Sequence, residues 1–198
     1  HLNEVVAEYE PKVGRENILI YPVGRKVADA VKKMEGLTAA GDYQHMSGKP
    51  NYQEAADLAA ELMTRFASGE IQQVELLYNH FKSTSTQVLT RETYLPLDLS
   101  AGHTDEKGEE QEAMQADYLI EPSPEQVMEE LLPKVLRMKM YTVLLDSTAS
   151  EHAARTMAMQ IATDNANDLI QELTLIYNKS RQQAITNELL DIVGGSMS

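Results

Sequence analysis

The sequence contains no cysteine among its 198 residues. Disulfides, thiolate metal sites and cysteine nucleophiles are therefore excluded together. Basic residues are also scarce, because 17 Lys and Arg face 31 Asp and Glu and give a formal net charge of -14. Nucleic-acid binding requires a clustered basic surface. We therefore expect no nucleic acid among the partners of this protein.

Long apolar runs are missing as well. No stretch approaches the roughly 18 consecutive apolar residues of a membrane-spanning helix, and the mean hydropathy is -0.38. We therefore expect that no segment crosses a bilayer. Residues 1–6 have neither an initiator Met nor the basic-then-apolar order of a signal peptide. They are typical of the middle of an amphipathic helix, which predicts that the sequence is a fragment.

Signals for catalysis and for ligand binding are weak throughout. The histidines show no metal-ligand spacing, and they are His1, His45, His80, His103 and His152. The Gly24-Arg25-Lys26 segment lacks the preceding glycine of a phosphate-binding P-loop. We expect no metal, no cofactor and no catalytic residue, and hence a protein that is not itself an enzyme.

Strand and helix patterns alternate in the first part of the chain. Residues 17–21 form a short apolar run that predicts a strand buried on both faces. Helical periodicity follows over 27–31 and again over 55–66. Segments 73–81 and 86–95 are rich in Val, Leu, Thr and Tyr and predict an antiparallel hairpin. This alternation predicts an α/β layered domain with a mixed sheet over residues 1–122.

A polar, Glu-rich loop over 98–115 and a last strand over 117–121 complete the predicted domain. Ser123, Pro124 and Gln126 then have the spacing of an N-cap, a proline at the first helical position and a capping-box partner. We expect a helix to start there. Pro133 is expected to kink or break it, because proline removes a backbone donor and its ring collides with the preceding turn.

Residues 134–193 contain no proline and no glycine. One helix of that length measures about 90 Å, more than a compact domain can bury. We therefore predict that residues 123–198 form a long helix that projects from the domain. Its apolar residues follow the three-and-four spacing of a coiled-coil seam, and they are Met138, Tyr141, Leu145, Met159, Ala162, Ala166, Leu169, Leu173 and Ile176. A second copy or a segment outside this sequence would supply the partner helix.

Beyond Ile176 the seam turns polar over 179–183, and an apolar tip follows over 189–193. Segments 149–159, 162–166 and 177–195 resemble the C-terminal helix of the γ subunits of F-type ATP synthases. Two shorter segments, 79–83 and 121–124, are similar to the same family. The match is most specific between residues 121 and 195.

The resemblance implies a Rossmann-like globular foot and a shaft of two antiparallel helices. The shaft turns inside a ring of α and β subunits, and it couples ion-driven rotation of a membrane c-ring to ATP synthesis or hydrolysis at the β subunits. The family places a helix and a strand before residue 1, so the resemblance implies that the N-terminal shaft helix is missing here. It also implies a peripheral membrane protein on the cytoplasmic face of a bacterial inner membrane.

Residue roles carry over from the resemblance at matching positions. Arg181 and Gln182 lie where family members contact a loop of a catalytic β subunit. The resemblance places four apolar residues in the collar of the α/β ring, namely Leu189, Leu190, Ile192 and Val193. It places three residues of the foot against the c-ring and the ε subunit, namely Asp117, Tyr118 and Glu121.

Two other functions fit parts of the sequence. An α/β scaffold or adaptor domain could homodimerise through the long helix, although the polar patch followed by an apolar tip is not needed for that. A doubly wound domain could bind a nucleotide at its strand ends, although the glycine-rich phosphate loop is absent. Homodimerisation of the isolated fragment through its unpartnered seam also stays open.

Overall fold

The computed structural model describes residues 2–34, 36–97 and 121–196. By their internal contacts the residues divide into two units, His1–Glu151 and His152–Ser198. In the described part, helices and strands follow one another as α1 (Leu2–Val13), β1 (Leu19–Ile20), α2 (Arg25–Lys32), β2 (Thr38–Ala39), α3 (Tyr52–Ala67), β3 (Val74–Ser83), β4 (Thr86–Leu95) and α4 (Pro124–Ser196). Short 3-10 turns occupy Arg15–Asn17 and Gln44–Ser47.

Strands β3 and β4 form the antiparallel hairpin that the sequence predicts. Tyr78 pairs with Thr90 and His80 with Val88, and the chain turns between Ser83 and Thr86. Branched and aromatic side chains fit such a pleated, half-buried surface. The hairpin is the largest β element of the described residues and provides one wall of the core.

The described strands form two small sheets, one parallel and one antiparallel, where the sequence predicts a single mixed sheet. Strand β1 pairs with β2 in a separate parallel sheet, and neither strand pairs with the hairpin. Strand β1 is also only two residues long, and its Leu19 is exposed. The prediction of a strand buried on both faces was therefore wrong. Among the described residues β1 pairs with β2 alone, so it is an edge strand and not a central one.

Two further predictions concern the segment between the hairpin and α4. The loop over 98–115 lies outside the described residues, and so does all of the predicted strand over 117–121 except its last residue. That residue, Glu121, lies in a bend and is exposed.

Helix α3 confirms the periodicity over 55–66. The side-chain Oδ1 of Asn51 accepts a hydrogen bond of 2.9 Å from the backbone N–H of Gln53 and caps the helix N-terminus. One face of α3 is fully buried, and it consists of Ala55, Ala56, Leu58, Ala59 and Leu62. This face forms the floor of the core.

Helix α4 begins where the capping residues predict. Pro124 is its first residue, and the Ser123 Oγ accepts a hydrogen bond of 3.3 Å from the backbone N–H of Gln126. Pro133 was expected to kink or break the helix, and of these two alternatives the break was wrong, because α4 continues through that residue. Apolar side chains that follow within three turns, Leu136, Met140 and Leu144, are buried in the core. Their burial offsets the roughly 3 kcal/mol that proline costs inside a helix.

The core of the unit His1–Glu151 lies between α3, the base of the hairpin and the first part of α4. It contains Met46, Ala55, Leu58, Ala59, Leu62, Tyr94, Leu95, Leu136, Met140 and Leu144. Because α4 contributes three of these residues, its first turns belong to this packed unit and not to a separate element.

The unit His152–Ser198 is helical through Ser196. Almost all of its described side chains are exposed, including the apolar seam residues Met159, Leu169, Leu173 and Ile176, which are 55–61% exposed. No described residue therefore covers the predicted seam over this part of α4.

Candidate functional site

The predicted seam lies on one face of α4. A residue in an α-helix is rotated by about 100° from its neighbour. Ala166, Leu169, Leu173 and Ile176 therefore fall within one strip of the helix surface, and all of them are exposed. Their width and spacing match the apolar strip that a helix presents to a partner helix.

The predicted partner-binding residues lie on a different face. Arg181, Leu189 and Ile192 are spaced by eight and three residues, which places them in one strip together with Ile185. At about 100° per residue this strip is centred about 140° around the axis from the seam. The apolar residues of α4 thus move to a different face between residues 177 and 185. A single straight partner helix therefore cannot cover both the seam and the second strip.

Gln182 and Val193 border the same strip, whereas Leu190 lies off it. The helix thus brings the polar pair and most of the apolar tip to one side. All six predicted residues are exposed, with Leu189 at 57% and Ile192 at 69%. The strip is therefore polar at its start and apolar towards residue 193.

The side chains of Arg181 and Gln182 make no hydrogen bond or ion pair with any described residue. Arginine offers a forked set of donors to carboxylates and carbonyls, and glutamine donates and accepts at once. Because neither group has an internal partner, both are available to a binding surface. An apolar contact is non-directional, in contrast to such hydrogen bonds.

The foot residues of the predicted site are described only in part. Asp117 and Tyr118 lie outside the described residues. Glu121 is exposed immediately before Pro122.

The described residues contain no group of His, Asp and Glu that could hold a metal ion. Among the described helices, none is both long enough and apolar enough to span a membrane. An open depression of about 540 Å³ lies at the start of α3, where Lys49, Tyr52 and Tyr141 line it. Of these three residues, Tyr141 also belongs to the predicted seam.

An ion-pair cluster joins α1 to the hairpin. Arg91 donates to Glu75 Oε2 at 2.8 Å and to Glu8 Oε2 at 2.6 Å, and the Tyr9 hydroxyl donates to Glu75 Oε1 at 2.7 Å. Burial would raise the pKa of Glu75, but hydrogen bonds from Arg91 and Tyr9 outweigh it and lower that pKa. The hydrogen bond from Arg91 is also the main reason that the pKa of Glu8 is lowered.

Sequence reasoning missed two polar residues of α4 that contact the hairpin. Asp146 accepts a hydrogen bond from the backbone N–H of Phe81 through Oδ1 at 2.9 Å, and its Oδ2 lies 2.5 Å from His80 Nδ1. Ser150 Oγ donates to the backbone carbonyl of Asn79 at 2.8 Å. Their spacing of four residues puts both on one helix face. Two polar residues at this spacing, about one turn beyond the buried apolar residues of the same helix, were the signal in the sequence that could have indicated this contact.

The fold and these surfaces define an α/β domain whose last helix is long and carries exposed apolar residues along its second part. The family model described as ATP synthase matches residues 2–198. An ATP synthase gamma chain of Phocaeicola vulgatus is 69% identical over 198 residues, which are 100% of this chain and 66% of that protein. The gamma chain of Bacteroides fragilis is 59% identical over 195 residues, which are 98% of this chain and 66% of that protein. The chain therefore belongs to the ATP synthase gamma-chain family.

The solved structures agree at the level of the fold. A chain in the mitochondrial ATP synthase of Euglena gracilis, determined with OSCP, F1 and the c-ring in rotational state 3, matches with a TM-score of 0.50 and 23% identity. The match covers 99% of this chain and 67% of that one. The present chain spans 66% of the length of the two bacterial relatives. The family membership therefore rests on a match to about two thirds of the length of these relatives.

Proposed function

We propose that this chain forms the greater part of the central rotor shaft of an F-type ATP synthase. In that role it is a non-catalytic subunit that couples ion-driven rotation of the c-ring to ATP synthesis or hydrolysis at the β subunits. The observation that carries the proposal is the change of face on α4, together with the family membership. The seam can pack against a second helix, and the strip from Arg181 to Ile192 can contact subunits that surround the shaft.

Residues 1–122 are the Rossmann-like foot of the proposed shaft, and residues 123–198 are one half of its antiparallel coiled coil. The first turns of α4 are packed on the foot. The seam that starts beyond them would be covered by a helix from the third of the relatives' length that this sequence does not span. This arrangement argues against a scaffold that homodimerises through α4, since the resemblance to the family implies that the partner helix belongs to the same chain.

The mechanical role follows from asymmetry. A helix pair has no threefold axis, so inside a ring of three catalytic sites it makes different contacts with each site. A difference in contact free energy is what shifts a site between conformations. Arg181 and Gln182 provide polar contacts to a β subunit, and Leu189, Leu190, Ile192 and Val193 provide an apolar bearing in the α/β ring. Rotation then carries every site through the same sequence of states.

The proposed partners are the α and β subunits around the helix, with the c-ring and the ε subunit at the foot. Asp117, Tyr118 and Glu121 are the proposed contacts at that end. A shaft in this position is peripheral to the membrane, on the cytoplasmic face of a bacterial inner membrane.

Reconstitution with α and β subunits tests the proposal. The segment of the Phocaeicola vulgatus relative that this sequence does not span is fused to it, which gives the completed chain. ATPase activity and rotation of the assembled complex are then measured. Replacing Arg181 and Gln182 by alanine should lower turnover by up to about tenfold, because hydrogen bonds to charged groups are among the stronger ones. Lys179→Ala with Gln183→Ala is the matched control, since both residues are exposed and lie about 120° or more around the helix axis from the centre of the strip.

The possible outcomes distinguish the rotor function from the role of Arg181 and Gln182. A completed chain that forms no complex with α and β subunits under conditions where the relative assembles would overturn the rotor proposal. Assembly with equal turnover in the Arg181/Gln182 variant and the Lys179/Gln183 control would leave the rotor in place and remove the polar pair from its site.

A further inference from the structure

The edge of strand β3 that faces away from β4 is held by two side chains of α4. Alternate residues of a strand direct their N–H and C=O groups to the same edge. Asn79 and Phe81 are two residues apart, so the carbonyl that binds Ser150 and the N–H that binds Asp146 share that edge. The helix thus supplies an acceptor and a donor in place of a neighbouring strand.

The hydrogen bond of Ser150 is partly buried, whereas the two contacts of Asp146 lie near the surface. Ser150 is 2% exposed and is the buried polar residue of the described core. The Asp146 side chain is 20% exposed, and His80 Nδ1 approaches its second oxygen. Both oxygens of the carboxylate are therefore engaged by the hairpin, one through the backbone and one through a side chain.

Asp146 and Ser150 lie near the end of the part of α4 that packs on the hairpin. The apolar contacts of Leu136, Met140 and Leu144 lie earlier in the helix, and Asp146 and Ser150 are followed by the end of the packed unit at Glu151. Apolar packing is non-directional and tolerates some rotation of a helix about its own axis. Hydrogen bonds to fixed backbone groups are directional, and so they oppose that rotation.

We infer that Asp146 and Ser150 form a torsional clamp, which fixes the rotation of α4 about its axis relative to the β3–β4 hairpin and so transmits torque between foot and shaft. The inference rests on the proposed rotor function. It assigns to Asp146 and Ser150 a positioning role that involves no contact with nucleotide or with the ring. His80 completes the clamp by contacting Oδ2 of Asp146, the oxygen that the Phe81 N–H does not bind.

The test measures torsional stiffness in the assembled complex. The completed chain is combined with surface-immobilised α and β subunits, and a bead is attached through Thr84→Cys in the exposed hairpin turn. The present sequence has no other cysteine. With rotation halted, the variance of the bead angle reports the compliance between hairpin and helix. Asp146→Ala with Ser150→Ala should raise this variance about twofold, because each hydrogen bond contributes only modestly.

The matched control is Glu130→Ala with Thr142→Ala. It also removes one carboxylate and one hydroxyl from α4, but Glu130 pairs with Lys134 and Thr142 bonds to the carbonyl of Met138, both within the helix. The control should leave the variance unchanged. If the double variant folds poorly, Ser150→Ala is compared with Thr142→Ala, and Asp146→Asn, which keeps an acceptor for the Phe81 N–H, should have the smaller effect.

Two failures are distinguishable. If the wild-type completed chain does not assemble or rotate, the rotor function is wrong. If it rotates and the Asp146/Ser150 variants show the same angular variance as wild type and control, the clamp is wrong and the other contacts between hairpin and helix fix the rotation of α4.

Discussion

The hydroxyl of Tyr94, near the end of β4, donates a hydrogen bond of 2.9 Å to the backbone carbonyl of Leu136 in α4. Tyr94 is 2% exposed and lies in the same apolar cluster as Leu136. One side chain thus contributes both apolar area and a directed bond to the contact between hairpin and helix.

Replacing Tyr94 by phenylalanine should lower the free energy of unfolding by about 1 kcal/mol, since it removes one hydrogen bond and keeps the ring. The carbonyl of Leu136 retains its bond within the helix, so the loss should stay near that value. Urea unfolding measures the change. Tyr52→Phe, at an exposed ring, is the control. Equal stability of the Tyr94 variant and wild type would show that the bond contributes nothing net.

Alkaline titration provides a second prediction. Burial raises the pKa of Tyr94 to about 12 from an ordinary value of 10.0. Burial and then the hydrogen bond to Glu61 raise the pKa of Tyr43 to about 12 as well. A raised pKa stabilises the fold below the ordinary value, and this contribution is lost as the pH rises from about 10 to about 12.

Tyrosinate absorbance should therefore show a late phase near pH 12 that becomes smaller in Tyr94→Phe and in Tyr43→Phe. The same two variants should lose less stability than wild type between pH 10 and pH 12. A late phase of unchanged amplitude in both variants would contradict the assignment.

Local signals in the sequence were sufficient for several elements. The hairpin and α3 follow from side-chain periodicity, and the start of α4 follows from Ser123, Pro124 and Gln126. These features depend on residues a few positions apart. A sequence records them directly, because capping and alternation are short-range effects.

Long-range arrangements could not be read in the same way. Nothing near Leu19 indicates that, among the described residues, β1 pairs with β2 and not with the hairpin. The continuity of α4 through Pro133 depends on burial of Leu136 against distant residues, which local propensity does not include. Asp146 reaches Phe81 across 65 positions of sequence. The residues of the strip from Arg181 to Ile192 were found from the family resemblance, and helix geometry adds that they share a face.

Pro133 offers a direct measure of the strain in α4. Proline inside a helix lacks the N–H donor and costs about 3 kcal/mol relative to alanine. Pro133→Ala should therefore stabilise the chain against urea by about 1–3 kcal/mol, with the same helical circular dichroism. Val135→Ala, at a neighbouring exposed position, is the control. Destabilisation by Pro133→Ala would mean that the proline itself is required for packing of the following turns.

The cluster of Arg91, Glu8 and Glu75 predicts how α1 responds to acid. Both carboxyl groups have lowered pKa values, so their contribution to stability is present above their ordinary value of 4.5 and is lost as the pH falls below it. Arg91→Gln should increase hydrogen exchange of the α1 amides at neutral pH, and its difference from wild type should shrink in acid. Lys134→Gln, which breaks an exposed pair with Glu130, should leave α1 exchange unchanged. A difference that persists unchanged below pH 4.5 would show that Arg91 holds α1 through packing on the Tyr9 ring and not through the carboxylates.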